Sequence, residues 1–67
     1  PGPITPKVLL AAEERLASHL GPIARVLVAK AAREVADTGR LAERLAVHIA
    51  DPAARRVFLA AMDEGAS

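Results

Sequence analysis

Cysteine, tryptophan and tyrosine are absent from the 67 residues, and Phe58 is the sole aromatic side chain. Without cysteine there is neither a disulfide scaffold nor a cysteine-ligated zinc site. An excess of charge of one sign is also missing, because nine Lys/Arg against eight Asp/Glu leave a net +1. That balance does not make the basic face expected of a nucleic-acid binder. Long apolar runs are lacking: nothing approaches the roughly 18 residues that a spanning helix needs, so no membrane partner is expected. The proline-rich N-terminus has no basic segment followed by an apolar one and does not read as a secretory signal. The chain is therefore expected to work in the cytoplasm.

Alanine is plentiful. It supplies 16 of the 35 apolar residues, which leaves 19 side chains large enough to fill a core. A chain of this size holds one small domain at most. Alternating runs bounded by turns are missing, and alanine-rich sequence favours helix.

Four helices are expected. Pro1, Gly2 and Pro3 read as a stiff lead-in, and residues 1–5 as a linker or expression remnant. Thr5 before Pro6 is a hydroxyl cap followed by a proline at the first helical position, which starts a helix over residues 6–20. Gly21-Pro22 ends that helix and starts a second over residues 22–36. Asp37-Thr38-Gly39 breaks the second helix, with Asp37 or Thr38 available to cap a third over residues 40–50. Asp51-Pro52 repeats the cap-then-proline signature and starts a fourth, which runs to Glu64 and leaves residues 65–67 as a tail. Gly21, Pro22, Asp51 and Pro52 are thus the structural hinges of a domain spanning residues 6–64.

Helical phase assigns the faces. Leu9, Ala12, Leu16 and Leu20 form the inner stripe of the first helix. Ile23, Ala24, Leu27, Val28, Ala31 and Val35 form that of the second. Leu41, Leu45 and Ile49 serve the third helix, and Ala54, Val57, Phe58 and Ala61 the fourth. Leu10, Val26, Val47 and Leu59 fall off these stripes. Several such residues on neighbouring elements form a candidate contact patch for a partner or a second copy.

The chain also repeats itself. Residues 14–22, from Glu14-Arg15-Leu16 to Gly21-Pro22, align with residues 43–52, from Glu43-Arg44-Leu45 to Asp51-Pro52, at an offset of 29 with one extra residue before the second proline. Helix–proline–helix twice over predicts an all-α fold, a compact four-helix domain built of two αα-hairpins.

Residues 20–28, Leu20-Gly21-Pro22-Ile23-Ala24-Arg25-Val26-Leu27-Val28, stand together with Leu45-Ala46, His48-Ile49, Asp51-Pro52, Arg55 and Phe58-Leu59. This pattern resembles a small helical module at the C-terminal end of bacterial signalling proteins, notably serine/threonine protein kinases and nucleotide cyclases. The resemblance covers about residues 9–62, and the block around Gly21-Pro22 is its specific part. It implies a non-catalytic appendage for self-association or partner docking. No kinase chemistry comes with it, because the glycine-rich loop and the HRD and DFG motifs are missing.

Candidate chemistry is thin. His19 and His48 hold equivalent places in the repeat near helix C-termini, where a histidine serves orphan carbonyls and the helix dipole. Neither sits in HExxH or a Cys/His spacing, so no metal or other cofactor is expected. Glu13 and Glu14 are adjacent on a helix and cannot flank a substrate. Ser18 and His19 point about 100° apart, which rules against a nucleophile–base pair. Four short helices also rarely enclose a substrate pocket. The chain is not read as an enzyme, and no small-molecule substrate is expected. Lys30 and Glu34 are spaced for a helix-surface ion pair, and Arg40, Arg44, Arg55 and Arg56 are candidates for a cationic face.

The leading expectation is a self-associating interaction module, a homodimer with Leu10, Val26, Val47 and Leu59 as its interface. A hetero-interaction adaptor that docks a partner's helix is the alternative. A helix-turn-helix nucleic-acid binder is the least favoured. Ala36-Asp37-Thr38-Gly39 has the short glycine-containing turn, but Arg40, Glu43, Arg44 and Val47 offer few groups that read bases.

Overall fold

Each helix starts at a side-chain cap, a proline or both. The computed structural model describes residues 2–66, with side chains through Glu64. Helix α1 (Pro6–Leu20) is capped by Thr5, whose Oγ1 accepts from the Val8 N–H at 3.2 Å, with Pro6 opening the helix. Its C-terminus closes at Gly21, whose N–H donates to the Ala17 carbonyl at 2.8 Å. Gly21 takes φ 76° and ψ −153°, the only positive φ among the described residues. That region of backbone space is essentially reserved for glycine. Pro22 then sets φ −60° for entry into α2 (Ile23–Glu34). Asp37 Oδ1 accepts from the Arg40 N–H at 2.9 Å and caps α3 (Thr38–Ala46). Asp51 Oδ2 accepts from the Ala54 N–H at 3.1 Å at the start of α4 (Pro52–Ala66).

Some boundaries differ from the sequence reading. Helix α2 stops at Glu34, because Val35 and Asp37 are extended. Thr38 and Gly39 belong to the first turn of α3, so the glycine-containing turn expected between the two helices is not formed there. Helix α3 ends four residues early, and the His48 and Ile49 N–H groups make short turn bonds to Leu45 and Ala46. This turn places Ile49 in the core at 3% exposure. Asp51 precedes a proline and is steered away from helical backbone, so the chain must leave the helix before it. Helix α4 continues through Gly65 to Ala66, so the tail expected from Gly65 does not begin there. Ser67, like Pro1, lies outside the described residues.

The lead-in, expected as a free linker, is tied to the start of α3. The Thr38 N–H donates to the Gly2 carbonyl at 2.9 Å, and Thr38 Oγ1 lies 3.1 Å from that oxygen and 3.3 Å from the Pro3 carbonyl. Thr38 is the buried polar residue among the described residues, at 2% exposure. Pro3 bridges to Asp37 in antiparallel fashion, and Ile4 packs against the core.

Helices α1 and α2 form one hairpin, and α3 and α4 the other. Between hairpins, α1 packs on α4, α2 on α3, and α1 meets α3 at the centre, while the backbones of α2 and α4 stay apart. Exchanging the two hairpins leaves this pattern unchanged. Burial follows the internal repeat: Ala12 and Leu16 correspond to Leu41 and Leu45, all at 0% exposure. After the prolines, Val28 corresponds to Phe58, and both are buried. The radius of gyration is 10.3 Å, against about 11 Å expected for a compact chain of this length.

Seven large apolar side chains fill the interior: Leu16, Val28, Leu41, Leu45, Ile49, Phe58 and Met62. Five buried alanines, 12, 24, 31, 42 and 46, let the helices approach closely around them. Two residues expected inside are outside, since Ile23 is 55% and Val57 68% exposed. Leu59, expected on the surface, packs against the core. Val57 and Leu59 lie about 100° to either side of Phe58 on the helix, so phase alone does not choose between them. Burial of Met62 shows that α4 is rolled toward Leu59.

Three outcomes test this architecture. Phe58→Ala should cost about 3–5 kcal/mol, enough to abolish the cooperative thermal melt followed by circular dichroism. Gly21→Val should lower stability by more than about 1 kcal/mol through backbone strain. A Cβ at Gly21 meets no atom within 4 Å beyond the residue and its two chain neighbours, so the strain comes from the backbone and not from crowding of the Cβ. Thr38→Val should cost about 1 kcal/mol, and hydrogen exchange should show the residue-38 amide losing protection as the lead-in loosens.

Candidate interaction surface

Five of the 19 large apolar side chains stand more than half exposed: Leu10 (57%), Ile23 (55%), Val26 (64%), Val47 (72%) and Val57 (68%). Three of the four residues proposed as an interface are among them, and Leu59 is not. Val26 and Val47 border different hollows. Val26 lies with Arg25, Ala29, Lys30 and Arg33 on the outer side of α2. Val47 lies with Val35, Ala36, Arg40, Glu43 and others where α2 meets α3. Leu10 stands four residues before Glu14 and seven before Ala17, and therefore shares the outer stripe of α1 with them.

The hinge residues do two jobs. Gly21 and Pro22 join α1 to α2, and they also line a hollow of about 340 Å³ with Glu13, Glu14, Ala17 and Arg25. Asp51 and Pro52 start α4 and remain exposed. Between α1 and α4 runs a narrower groove of about 180 Å³, with Val8, Ala11, Ala61 and Met62 as its walls and Lys7 and Arg15 at its edges.

The cationic face expected from four arginines is largely consumed by intramolecular contacts. Arg55 donates through Nε and Nη2 to the Ile49 carbonyl at 3.2 and 3.1 Å and seals the turn between α3 and α4. Arg44 pairs with Glu34 at 2.9 Å across α2 and α3, so Glu34 turns to the neighbouring helix and not to Lys30. Arg40 approaches Asp37 at 3.8 Å. Arg56 keeps no such contact, and on α2 three cations, Arg25, Lys30 and Arg33, likewise make no ion pair among the described residues.

His19 and His48 are both exposed, one in the last turn of α1 and the other in the turn after α3. Ser18 Oγ donates to the Arg15 carbonyl within its own helix at 2.7 Å. Among the described residues no group of three or more His, Asp or Glu converges as a metal site would require. No helix among them is long and apolar enough to cross a membrane.

Sequence reasoning missed the role of Arg55, the outward turn of Ile23 and Val57, and the lie of acidic residues on α1 beside basic residues on α2 in the first hairpin. Helical phase carried a signal only for the last of these, because Glu13, Glu14 and Ala17 recur on one side of α1 and Val26, Ala29 and Arg33 on one side of α2. No curated protein and no solved structure matches the chain. A family described as a domain of unknown function, DUF8082, matches residues 7–67. That match takes in all four helices but the first residue of α1, and the chain belongs to the DUF8082 family.

Proposed function

We propose that this domain is a non-catalytic helical interaction module that associates with a second copy of itself. The observation that carries the reading is the five large apolar side chains left more than half exposed in a domain with only 19 of them. A domain of this size without a disulfide gains only about 3–5 kcal/mol from its own core. Burying part of the exposed set against a second copy adds apolar area that the monomer lacks. The resemblance of residues 20–28 to the C-terminal module of bacterial kinases and cyclases supports the same reading. In that setting the domain sits in the cytoplasm as an appendage that brings signalling chains together.

A second reading, the adaptor that docks a partner's helix, draws on the groove between α1 and α4. Its apolar walls, flanked by Lys7 and Arg15, suit an apolar side chain of a partner helix with carboxylates beside it. A helix-turn-helix role has less support, since Arg40 faces Asp37 and Arg44 is paired with Glu34.

Light scattering after size exclusion should find a dimer at high micromolar concentration, and the melting temperature should rise with protein concentration. A monomer with a concentration-independent melt would overturn self-association and favour the adaptor.

A further inference from the structure

The outer surface of the first hairpin carries two unlike stripes side by side. Along α1 run Leu10, Glu13, Glu14 and Ala17, which are apolar and acidic. Along α2 run Arg25, Val26, Ala29, Lys30 and Arg33, which are apolar and basic. Arg25 borders both the hollow at the hinge and the hollow on α2, so the two stripes form one continuous surface. None of its charged residues makes an ion pair or a side-chain hydrogen bond among the described residues. By contrast, Arg44, Glu34 and Arg55 are engaged elsewhere in the fold.

We infer that this surface is where the second copy binds, with the acidic stripe of α1 in each protomer lying on the basic stripe of α2 in the other. The inference rests on the self-association reading and specifies its interface. A two-fold axis requires one patch to be complementary to itself. This patch meets that requirement, because its two halves carry opposite charge and exchange places under a half-turn. The stripes also match in length: residues 10–17 and 25–33 each rise about 10–12 Å along their helices. Small side chains lie where helices must come close, with Ala17 on one stripe and Ala29 on the other. Leu10 and Val26 supply the larger apolar contacts beside them. An anionic partner such as nucleic acid would use only the α2 half and leave Glu13 and Glu14 repelling it. A second copy uses both halves.

The test exchanges the charges. Glu14, Arg25 and Arg33 are exposed and Glu13 is half-buried, so circular dichroism will report whether the variants Glu13→Lys/Glu14→Lys and Arg25→Glu/Arg33→Glu are folded. The wild-type chain should be dimeric by light scattering, with affinity falling about tenfold or more as salt is raised. Each double variant alone should be monomeric, because like charges then face each other. An equimolar mixture of the two should restore the dimer as a heterodimer, which no folding defect could produce. Two variants that dimerise like wild type would overturn this interface while leaving self-association standing, and so would monomeric variants that fail to pair when mixed. A wild type that is monomeric throughout would overturn both. If that monomer binds heparin and the Arg25→Glu/Arg33→Glu variant does not, the basic stripe is a polyanion site instead.

Discussion

Close approach of alanine-lined helices around a small set of large side chains is the constraint on which the rest depends. Leu16, Leu41, Leu45 and Phe58 are almost fully enclosed, and Ala12, Ala24, Ala42 and Ala46 stand where the helices come together around them. Alanine adds little buried area of its own, but it brings neighbouring backbones close enough for the larger side chains to be covered from several sides. The arrangement needs four helices at once. Helices α1 and α3 meet at the centre, and α2 and α4 close opposite flanks with their backbones apart. No single hairpin could bury Leu16 or Leu45 alone.

Polar groups then secure the joints between helices. Thr38 ties the lead-in to α3, Arg55 occupies the carbonyl of Ile49, and Glu34 joins Arg44 across α2 and α3. Thr38 and Arg55 serve backbone groups whose hydrogen-bonding capacity would otherwise go unmet at a turn or a chain end. The Glu34–Arg44 pair is half exposed, and its contribution is correspondingly modest. These contacts draw on residues that look like free surface charge in the sequence. Arg15 and Arg25 of the first hairpin, which correspond to Arg44 and Arg55 in the repeat, make no such contact among the described residues, and this makes the first hairpin different from the second despite their shared pattern. The repeat thus describes how the domain is built, and the departures from it describe where the domain differs from its own other half.

The same asymmetry appears at the two hinges. Gly21-Pro22 reverses the chain in two residues, because glycine alone reaches the required backbone angles. The second hairpin has no glycine at that place and needs residues 47–51 to make its turn. That longer turn leaves Val47 outside and drops Ile49 inward.

Four helices were legible in the sequence, and so were their starts apart from that of α3, which begins two residues earlier than expected, because caps and prolines act within a few residues of their own position. Thr5-Pro6, Gly21-Pro22, Asp37 and Asp51-Pro52 all mark the junctions that the structure shows. The inner stripes around Leu16, Val28, Leu45 and Phe58 were legible for a similar reason, since helical periodicity is a local property. Helix ends and flanks were not. Whether Val57 or Leu59 goes inside depends on how α4 is rolled against its neighbours, and both lie at equal angles from Phe58. Leu10, Val26 and Val47 could be recognised as outward-facing, but periodicity says nothing about which of them share a surface. Arg55 reaches a carbonyl that exists only once the chain has turned at residues 47–51, and Glu34 meets Arg44 only once α2 and α3 are packed. Local sequence determined where helices begin and which stripe they bury; packing between helices decided which charges and apolar side chains remain for a partner.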